Sequence, residues 1–319
     1  MVRPDVVSVC APARLHLGFL DLNGGLGRRF GGIGLSVSDL ATRLSVERAG
    51  TTRVDGPEAE RAAAHLTRLT DLLDLPRGHR LTIEEAIPAH SGLGSGTQLA
   101  LAVAAALCAL HERPFDPHEM AARLGRGSRS GLGAGLFATG GIVVDGGKGA
   151  SEATPPMIAR LSFPAAWRVI IVRDPAHRGL SGAAEIEAFR ALPTFPASEA
   201  AEICRLTLMQ VLPALAEEDL PAFGCAIAEI QLKVGSHFAP AQGGVFTSTR
   251  VGAAMRALSA AGTHGIGQSS WGSAGFAFAA SQDEAEAAVA ALARTGLCER
   301  LEIAIVEGLN HGARVEANG

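Results

Sequence analysis

A chain of 319 residues with 47% hydrophobic content is long enough for two domains that share a cleft, each with its own core. A formal net charge of -4 and a pI near 6.2 argue against a general polyanion-binding surface, so nucleic acid is not an expected partner and any anion must be held by local arginines. The five cysteines (Cys10, Cys108, Cys204, Cys225, Cys298) form no C-x-x-C pair, and the histidines show neither H-E-x-x-H nor H-x-H spacing, which argues against a disulfide frame or a zinc centre.

Val6 to Cys10 and Leu15 to Leu20 read as short strands, and Arg43 to Glu47 and Arg80 to Glu84 as two more. Between the last two, Pro57 to Leu75 places Ala62, Leu66, Leu69, Leu72 and Leu73 at helical spacing and stops at Pro76. Helices are expected at Gln98 to Leu110 and Pro117 to Leu124, and a strand at Gly140 to Asp145. The proline-bearing stretch Ala153 to Pro164 precedes a buried-strand run, Trp167 to Val172, and sets a boundary between domains at 1–163 and 164–319. Beyond it come helices near Ser198 to Ala216, Leu220 to Leu232 and Ser248 to Ala261. Strand Gly275 to Ala280, helix Asp283 to Arg294 and strand Leu301 to Val306 then form the strand–helix–strand of a split βαβ, ferredoxin-like unit. The fold class is α+β. The opening residues carry no signal-peptide pattern and the apolar run near Leu99 to Leu110 is too short to span a bilayer, so a cytoplasmic protein with no membrane association is expected.

Ile87 to Thr97 reads I-P-A-H-S-G-L-G-S-G-T and runs directly into the helix from Gln98. A glycine-rich turn that opens a helix gathers free backbone N–H groups at the positive end of the helix dipole, which suits a phosphate or pyrophosphate. The alternative is a loop whose glycines only permit tight packing. No Gly-Lys-Ser/Thr follows and the glycine spacing is not that of the dinucleotide fingerprint, so another phosphate architecture is needed. Upstream, Arg14, His16 and Gly18 alternate onto one face of a strand, where an arginine fork and a histidine can hold a carboxylate or phosphate; a solvent-facing edge is the other reading. Arg28 and Arg29 follow among dense glycines. Further along stand Gln242-Gly-Gly and Gln268-Ser-Ser-Trp271, while Lys233 and His237 either face the cleft or cap the helix before them. Glu84-Glu85, just before the loop, is the acidic pair best placed in sequence for Mg²⁺ bridging a pyrophosphate, or else a solvated strand end.

Pro88, Gly92, Leu93, Gly94 and Ser95, in P-x-x-x-G-L-G-S, resemble the phosphate-loop motif of the GHMP superfamily. The opening Ala11-Pro-Ala-Arg-Leu-His16 and the late Gly265-Ile-Gly-Gln-Ser-Ser-Trp-Gly-Ser-Ala-Gly275 stand where that superfamily keeps its first and third motifs. The resemblance implies a two-domain fold, with a ribosomal protein S5 domain 2-like N-terminal domain and a ferredoxin-like C-terminal domain. Many of its kinases place an aspartate base after the phosphate-loop helix. Here that segment is Gly125-Arg-Gly-Ser-Arg-Ser-Gly-Leu-Gly-Ala-Gly135, without an acid, and an arginine cannot take a proton at neutral pH.

P-A-R-L-H-x-G-x-x-D-L-N-G, then G-R-x-x-G-G-I-G, Gln242-Gly-Gly and G-Q-S-S-W-G closely resemble the β-ribofuranosylaminobenzene 5′-phosphate synthase family. That family joins phosphoribosyl pyrophosphate to 4-hydroxybenzoate or 4-aminobenzoate, with loss of carbon dioxide and pyrophosphate, in methanopterin biosynthesis. The resemblance implies phosphate or pyrophosphate binding by Ser91, Gly92, Leu93, Gly94, Ser95, Gly96, Thr97, Arg28, Ser128 and Ser130. It implies substrate contacts from Asp21, Arg126, Gln242, Gln268, Ser269 and Ser270, and catalytic roles for Arg14, His16 and Arg129, with His16 as the candidate base. Mg²⁺ and a homodimer are expected, and no nucleotide cofactor. An ATP-dependent small-molecule kinase and a non-catalytic ligand sensor of the same fold are the alternatives.

Overall fold

The computed structural model describes residues 4–151, 153–177, 179, 187–188 and 190–318. Its frame is a seven-stranded sheet built on two long antiparallel strands, β1 (Val6–Asp21) and β2 (Phe30–Arg48). The two short strands expected at 6–10 and 15–20 are one strand. Its register shifts at Pro12/Ala13 and His16/Gly18, where a proline without an N–H and a glycine at φ 144° interrupt the ladder. The first half of β2 was not expected, because Gly31-Gly32-Ile33-Gly34 shows no side-chain alternation. Those glycines serve close approach: a Cβ on Gly34 would stand 2.9 Å from Leu136 Cδ1. β3 (Arg53–Asp55) and β4 (His79–Glu85) extend one side, and β5 (Ile142–Asp145) and β6 (Met157–Leu161) pair off the first half of β2.

Four helices accompany this sheet: α1 (Ala59–Leu72), α2 (Ser95–Leu110), α3 (Pro117–Arg123) and α4 (Leu132–Thr139). α2 begins three residues ahead of its expected start, and its residues from Gln98 to Cys108 are all buried. Its apolar side chains all round fit a helix enclosed between sheet and neighbours. No helix among the described residues is long and apolar enough to cross a membrane.

The second sheet has four antiparallel strands in the order β10 (Glu302–Val306), β7 (Arg168–Arg173), β9 (Ala274–Ala279), β8 (His264–Gln268). With α9 (Gln282–Arg294) joining β9 to β10, this is the split βαβ arrangement. Between β7 and β8 lie α5 (Ala197–Leu206), a π-helical turn (Thr207–Val211), α6 (Leu212–Ala216), α7 (Leu220–Gln242) and α8 (Thr249–Ala260). α7 runs ten residues past its expected end, so Lys233 and His237 lie inside it and cap nothing. Lys233 Nζ instead pairs with Glu199 at 2.7 Å. The chain finishes by returning to the first sheet, where β11 (Arg314–Asn318) pairs with β1.

One buried cluster runs through both halves, joining Leu15, Leu17 and Phe19 of β1 to Phe223, Ile227 and Ile230 of α7 and to Phe276 and Phe278 of β9. The bulge at Gly18 allows that contact, since a Cβ there would lie 2.5 Å from Ile230 Cγ2. Gly18→Ala should lower the unfolding free energy by about 1–3 kcal/mol through overpacking and backbone strain. Urea unfolding of the two proteins measures this, and equal midpoints would show that β1 and α7 do not meet so closely.

Candidate active site

β1, the start of α2 and the turn after β8 converge on one point. Gly92 and Gly94 have φ of 87° and 84°, and both are boxed in. A Cβ on Gly92 would run into the Ser269 carbonyl oxygen, and one on Gly94 would lie 2.8 Å from Arg14 Cγ. The loop can be held between β1 and the Ser269–Gly272 turn only with glycine at these positions. Ser269 makes the joint: its Oγ accepts the His16 N–H at 2.9 Å and donates to the Gly92 carbonyl at 2.8 Å. Arg14 reinforces it, with Nη1 donating to the Gly92 carbonyl at 2.9 Å and its backbone N–H to the Leu93 carbonyl at 3.0 Å. The Ser91 hydroxyl donates to the Pro88 carbonyl at 2.7 Å.

The Ser91 hydroxyl and the Gly92 and Leu93 carbonyls are thus bonded within the protein. Of the loop, Gly92 and Gly94 to Thr97 line open space. α2 has no side-chain cap and no acid in its first turn, so its positive end opens onto a cleft of about 400 Å³. Arg14, His16, Arg61, Arg126, Ser128 and Arg129 line that cleft, with Ser270 and Trp271 at its other wall. Burial, then Arg61 and Arg68, lower the pKa of Arg126 from its usual value. Among the described lining residues there is no carboxylate.

The arginine-and-serine segment is held from behind by Asp145, at the end of β5. Its Oδ2 accepts from the Ser130 hydroxyl at 2.9 Å and the Gly131 N–H at 3.1 Å, and its Oδ1 from the Gly147 N–H at 2.9 Å. Ser130 thus lines the cleft with its hydroxyl proton committed to Asp145. Burial raises the Asp145 pKa to about 6, against the pull of these hydrogen bonds. Asp145 was expected only as the last residue of a strand; an acid on an otherwise apolar strand, followed by two glycines, was the available signal.

His16 is 3% exposed. Its Nδ1 accepts the Gly18 N–H at 3.3 Å, which leaves the ring proton on Nε2. Nε2 is buried without a hydrogen-bond partner among the described residues. Burial, then Arg14, bring its pKa down to about 3. This corrects the expectation of a base poised near neutrality: His16 lines the cleft as a neutral ring, with Nε2 so close to β2 that a Cβ on Gly32 would lie 3.2 Å from it. Beside it lies a separate small recess of about 20 Å³, lined by Phe19, Phe238 and Trp271 among others. The His16 and Phe19 rings are 4.5 Å apart, and Trp271 meets Phe238 edge-on at 4.7 Å.

Gln268 and Gln242 shape this wall through protein contacts. Gln268 Oε1 accepts the Thr247 N–H at 2.7 Å, and its Nε2 donates to the Ser270 carbonyl at 2.9 Å and to Gln242 Oε1 at 3.4 Å. Gln242 Nε2 donates to the Gly244 and Val245 carbonyls. Both amides, like Ser269, position the turn, while Ser270, at φ 56°, reaches the cleft.

Four expected site residues stand elsewhere. Arg28 donates to the Gly146 and Gly147 carbonyls at 2.7 and 2.6 Å, because the β2 hairpin carries it to the β5–β6 loop. Asp21 accepts the Asn23 and Gly24 N–H groups and makes a turn. Glu85 pairs with Arg43 at 3.0 Å, and Glu84 lines a separate recess with Cys10 and Arg314. Neighbours of the loop in sequence, these two carboxylates do not line its cleft. No group of three His, Cys, Asp or Glu residues suited to a metal ion occurs among the described residues, and the described lining of this cleft offers Mg²⁺ no carboxylate. Arg61, which sequence reading did not single out, reaches the cleft from α1; nothing in its local pattern distinguishes it from a solvent-facing helical arginine.

Residues 58–141 match the GHMP kinases N terminal domain and residues 211–297 the GHMP kinases C terminal domain. The chain is 36% identical over 232 residues to the β-ribofuranosylphenol 5′-phosphate synthase of Archaeoglobus fulgidus, covering 69% of this chain and 74% of that one. It is 33% identical over 242 residues to the protein of the same name from Methanothermobacter thermautotrophicus, again covering 69% and 74%. Among solved structures, galactokinase of Lactococcus lactis with galactose aligns at a TM-score of 0.70 and 15% identity, over 98% of this chain and 95% of that one. Mevalonate diphosphate decarboxylase of Staphylococcus aureus aligns at 0.67 and 14% identity, over 98% of each. At such identities these two share the fold.

The Asp145 pKa makes a signed prediction. A carboxyl whose folded pKa lies above its unfolded value contributes stability at low pH that is lost as pH rises through the folded pKa, here about 6. The stability difference between the native protein and Asp145→Asn should therefore be largest near pH 4 and shrink by pH 7, as read by denaturant titrations at each pH. A difference that grows with pH would contradict the assignment. For His16, nitrogen NMR should find the neutral Nε2–H tautomer throughout pH 5 to 8, and a titration near 6.5 would overturn it.

Proposed function

The chain belongs to the GHMP superfamily and, within it, to the family of the β-ribofuranosylphenol 5′-phosphate synthases, and on that footing we propose that it is a decarboxylating pentosyltransferase. Its substrates in this reading are phosphoribosyl pyrophosphate and 4-hydroxybenzoate or 4-aminobenzoate, its products a C-riboside 5′-phosphate, carbon dioxide and pyrophosphate, and its setting methanopterin biosynthesis. The observation that carries the proposal is the charge of the cleft. A phosphate loop faces Arg126 and Arg129 where a kinase of this fold would need a carboxylate base, and the described lining supplies none.

The α2 terminus and the arginines receive the pyrophosphate. As the bond from ribose C1 to the pyrophosphate oxygen breaks, its electron pair leaves with the pyrophosphate and C1 becomes oxocarbenium-like. The ring carbon that bears the carboxylate attacks C1, with the para substituent pushing electrons in. The bond to the carboxylate carbon then breaks, carbon dioxide departs, and its electrons restore the aromatic ring. No proton is required from the enzyme. In this reading His16, a neutral ring in the cleft wall with Phe19 and Trp271, donates through Nε2–H to an oxyanion of the aromatic acid. Arg14 and Arg129 hold the remaining anionic groups. Mg²⁺ enters only as a counter-ion carried by the dissolved phosphoribosyl pyrophosphate. A cytoplasmic homodimer is proposed as well, and the exposed Leu208 and Met209 offer an apolar face for it.

Carboxyl-labelled 4-hydroxybenzoate with phosphoribosyl pyrophosphate should release labelled carbon dioxide and one pyrophosphate per product. Arg129→Ala and His16→Ala should lower kcat/KM by about 10²–10³. Consumption of ATP with a sugar or homoserine, and none of phosphoribosyl pyrophosphate, would replace this reading by the kinase.

A further inference from the structure

Arg61 enters the cleft from the first turn of α1, across from the phosphate loop. Glu58, just before the helix, accepts from its Nη1 at 2.6 Å and sets its direction. The other end of the guanidinium reaches Gly96. A Cβ on Gly96 would lie 3.2 Å from Arg61 Nη2 and 3.4 Å from Arg126 Nη1. Two guanidiniums thus lie over one residue in the first turn of α2. His65, one turn further along α1, is subject to the same field: burial, then Arg126, Arg61 and Arg68, bring its pKa down to about 4. Among the described residues, Glu58 is the only carboxylate in ion-pair reach of these three arginines. Like charges gathered at the positive end of a helix repel unless an anion joins them. His16, whose buried Nε2 is unpartnered among the described residues, also lines this cleft.

We propose that Arg61 is a catalytic residue that, with Arg126, brackets the pyrophosphate and meets the charge it acquires as it leaves. This rests on the reading of the cleft as a phosphoribosyl pyrophosphate site. When the C1–oxygen bond breaks, the electron pair stays on the pyrophosphate oxygen, so the departing group is more negative than the bound substrate. Arg61 therefore acts more on kcat than on substrate binding. Glu58 competes with the anion for the guanidinium and holds it in place when the cleft is empty.

The test combines calorimetry of inorganic pyrophosphate binding to the full chain with steady-state turnover, and thermal melts to show that each variant folds. Arg61→Ala should weaken pyrophosphate about tenfold or more and lower kcat about tenfold to hundredfold, leaving the KM for 4-hydroxybenzoate within about twofold. Arg61→Lys should recover part of the pyrophosphate affinity, because a point charge replaces the fork. Glu58→Gln should tighten pyrophosphate, since the competing carboxylate is gone. Equal pyrophosphate binding and turnover in Arg61→Ala and the native chain would overturn the proposal. So would a Glu58→Gln variant that weakens binding as Arg61→Ala does, because that is the mark of a merely structural ion pair. Pyrophosphate binding that depends on Arg61 in a chain without turnover would keep the anion contact and overturn both the catalytic role and the proposed reaction. A native chain that binds no pyrophosphate would overturn both as well.

Discussion

The site depends on a backbone seam that admits no side chain. Gly92 and Gly272 press against each other so closely that a Cβ on either would strike the other segment, and the Ser269 hydroxyl bonds both strand β1 and the phosphate loop across that seam. A residue from the second half of the chain thereby fixes the angle at which α2 presents its terminus. The buried cluster running from β1 to α7 holds the two halves rigidly enough for this to matter. Packed interiors transmit such constraints because they have few alternative arrangements.

On that frame the chain builds a cleft whose charge is nearly all of one sign. Arginines come from β1, α1 and the loop before α4, and the described lining of the cleft contains no carboxylate. Arg14 is tied to the Gly92 carbonyl, the loop that carries Arg126 and Arg129 is moored through Asp145, and Glu58 holds Arg61 from the rim. Burial, reinforced by this field, pushes His16 and His65 well below the usual imidazole range. A net charge of -4 for the chain conceals this, because the acids lie elsewhere. Glu84 and Glu85 show how: adjacent to the loop in sequence, they end β4 outside the cleft.

Helices with an apolar period, such as α1 and α9, were legible to within a few residues, as were the buried strands β7 and β9. Glycine-rich elements were not. The first half of β2, α4 and the opening of α2 contain glycine where neighbours touch the backbone, so they carry no side-chain pattern to read. Among site residues, Gly94 to Thr97, Arg14, His16, Arg126 and Arg129 do come together. Arg28 and Asp21 go to turns, and Ser269, Gln242 and Gln268 spend their hydrogen bonds on the wall they support.

By itself the sequence determined which local pieces exist and which chemistry they can supply: a glycine turn opening a helix, basic side chains beside it, and no acid after it. Those are properties of a few consecutive residues and of residue type. Only the tertiary structure decided which polar atoms remain for a ligand, because that depends on what every other segment has already bonded. It took Ser91 and Ser269 for the scaffold, brought Arg61 to Gly96 from a helix with no distinguishing motif, and buried His16 deeply enough to make a donor of an expected base.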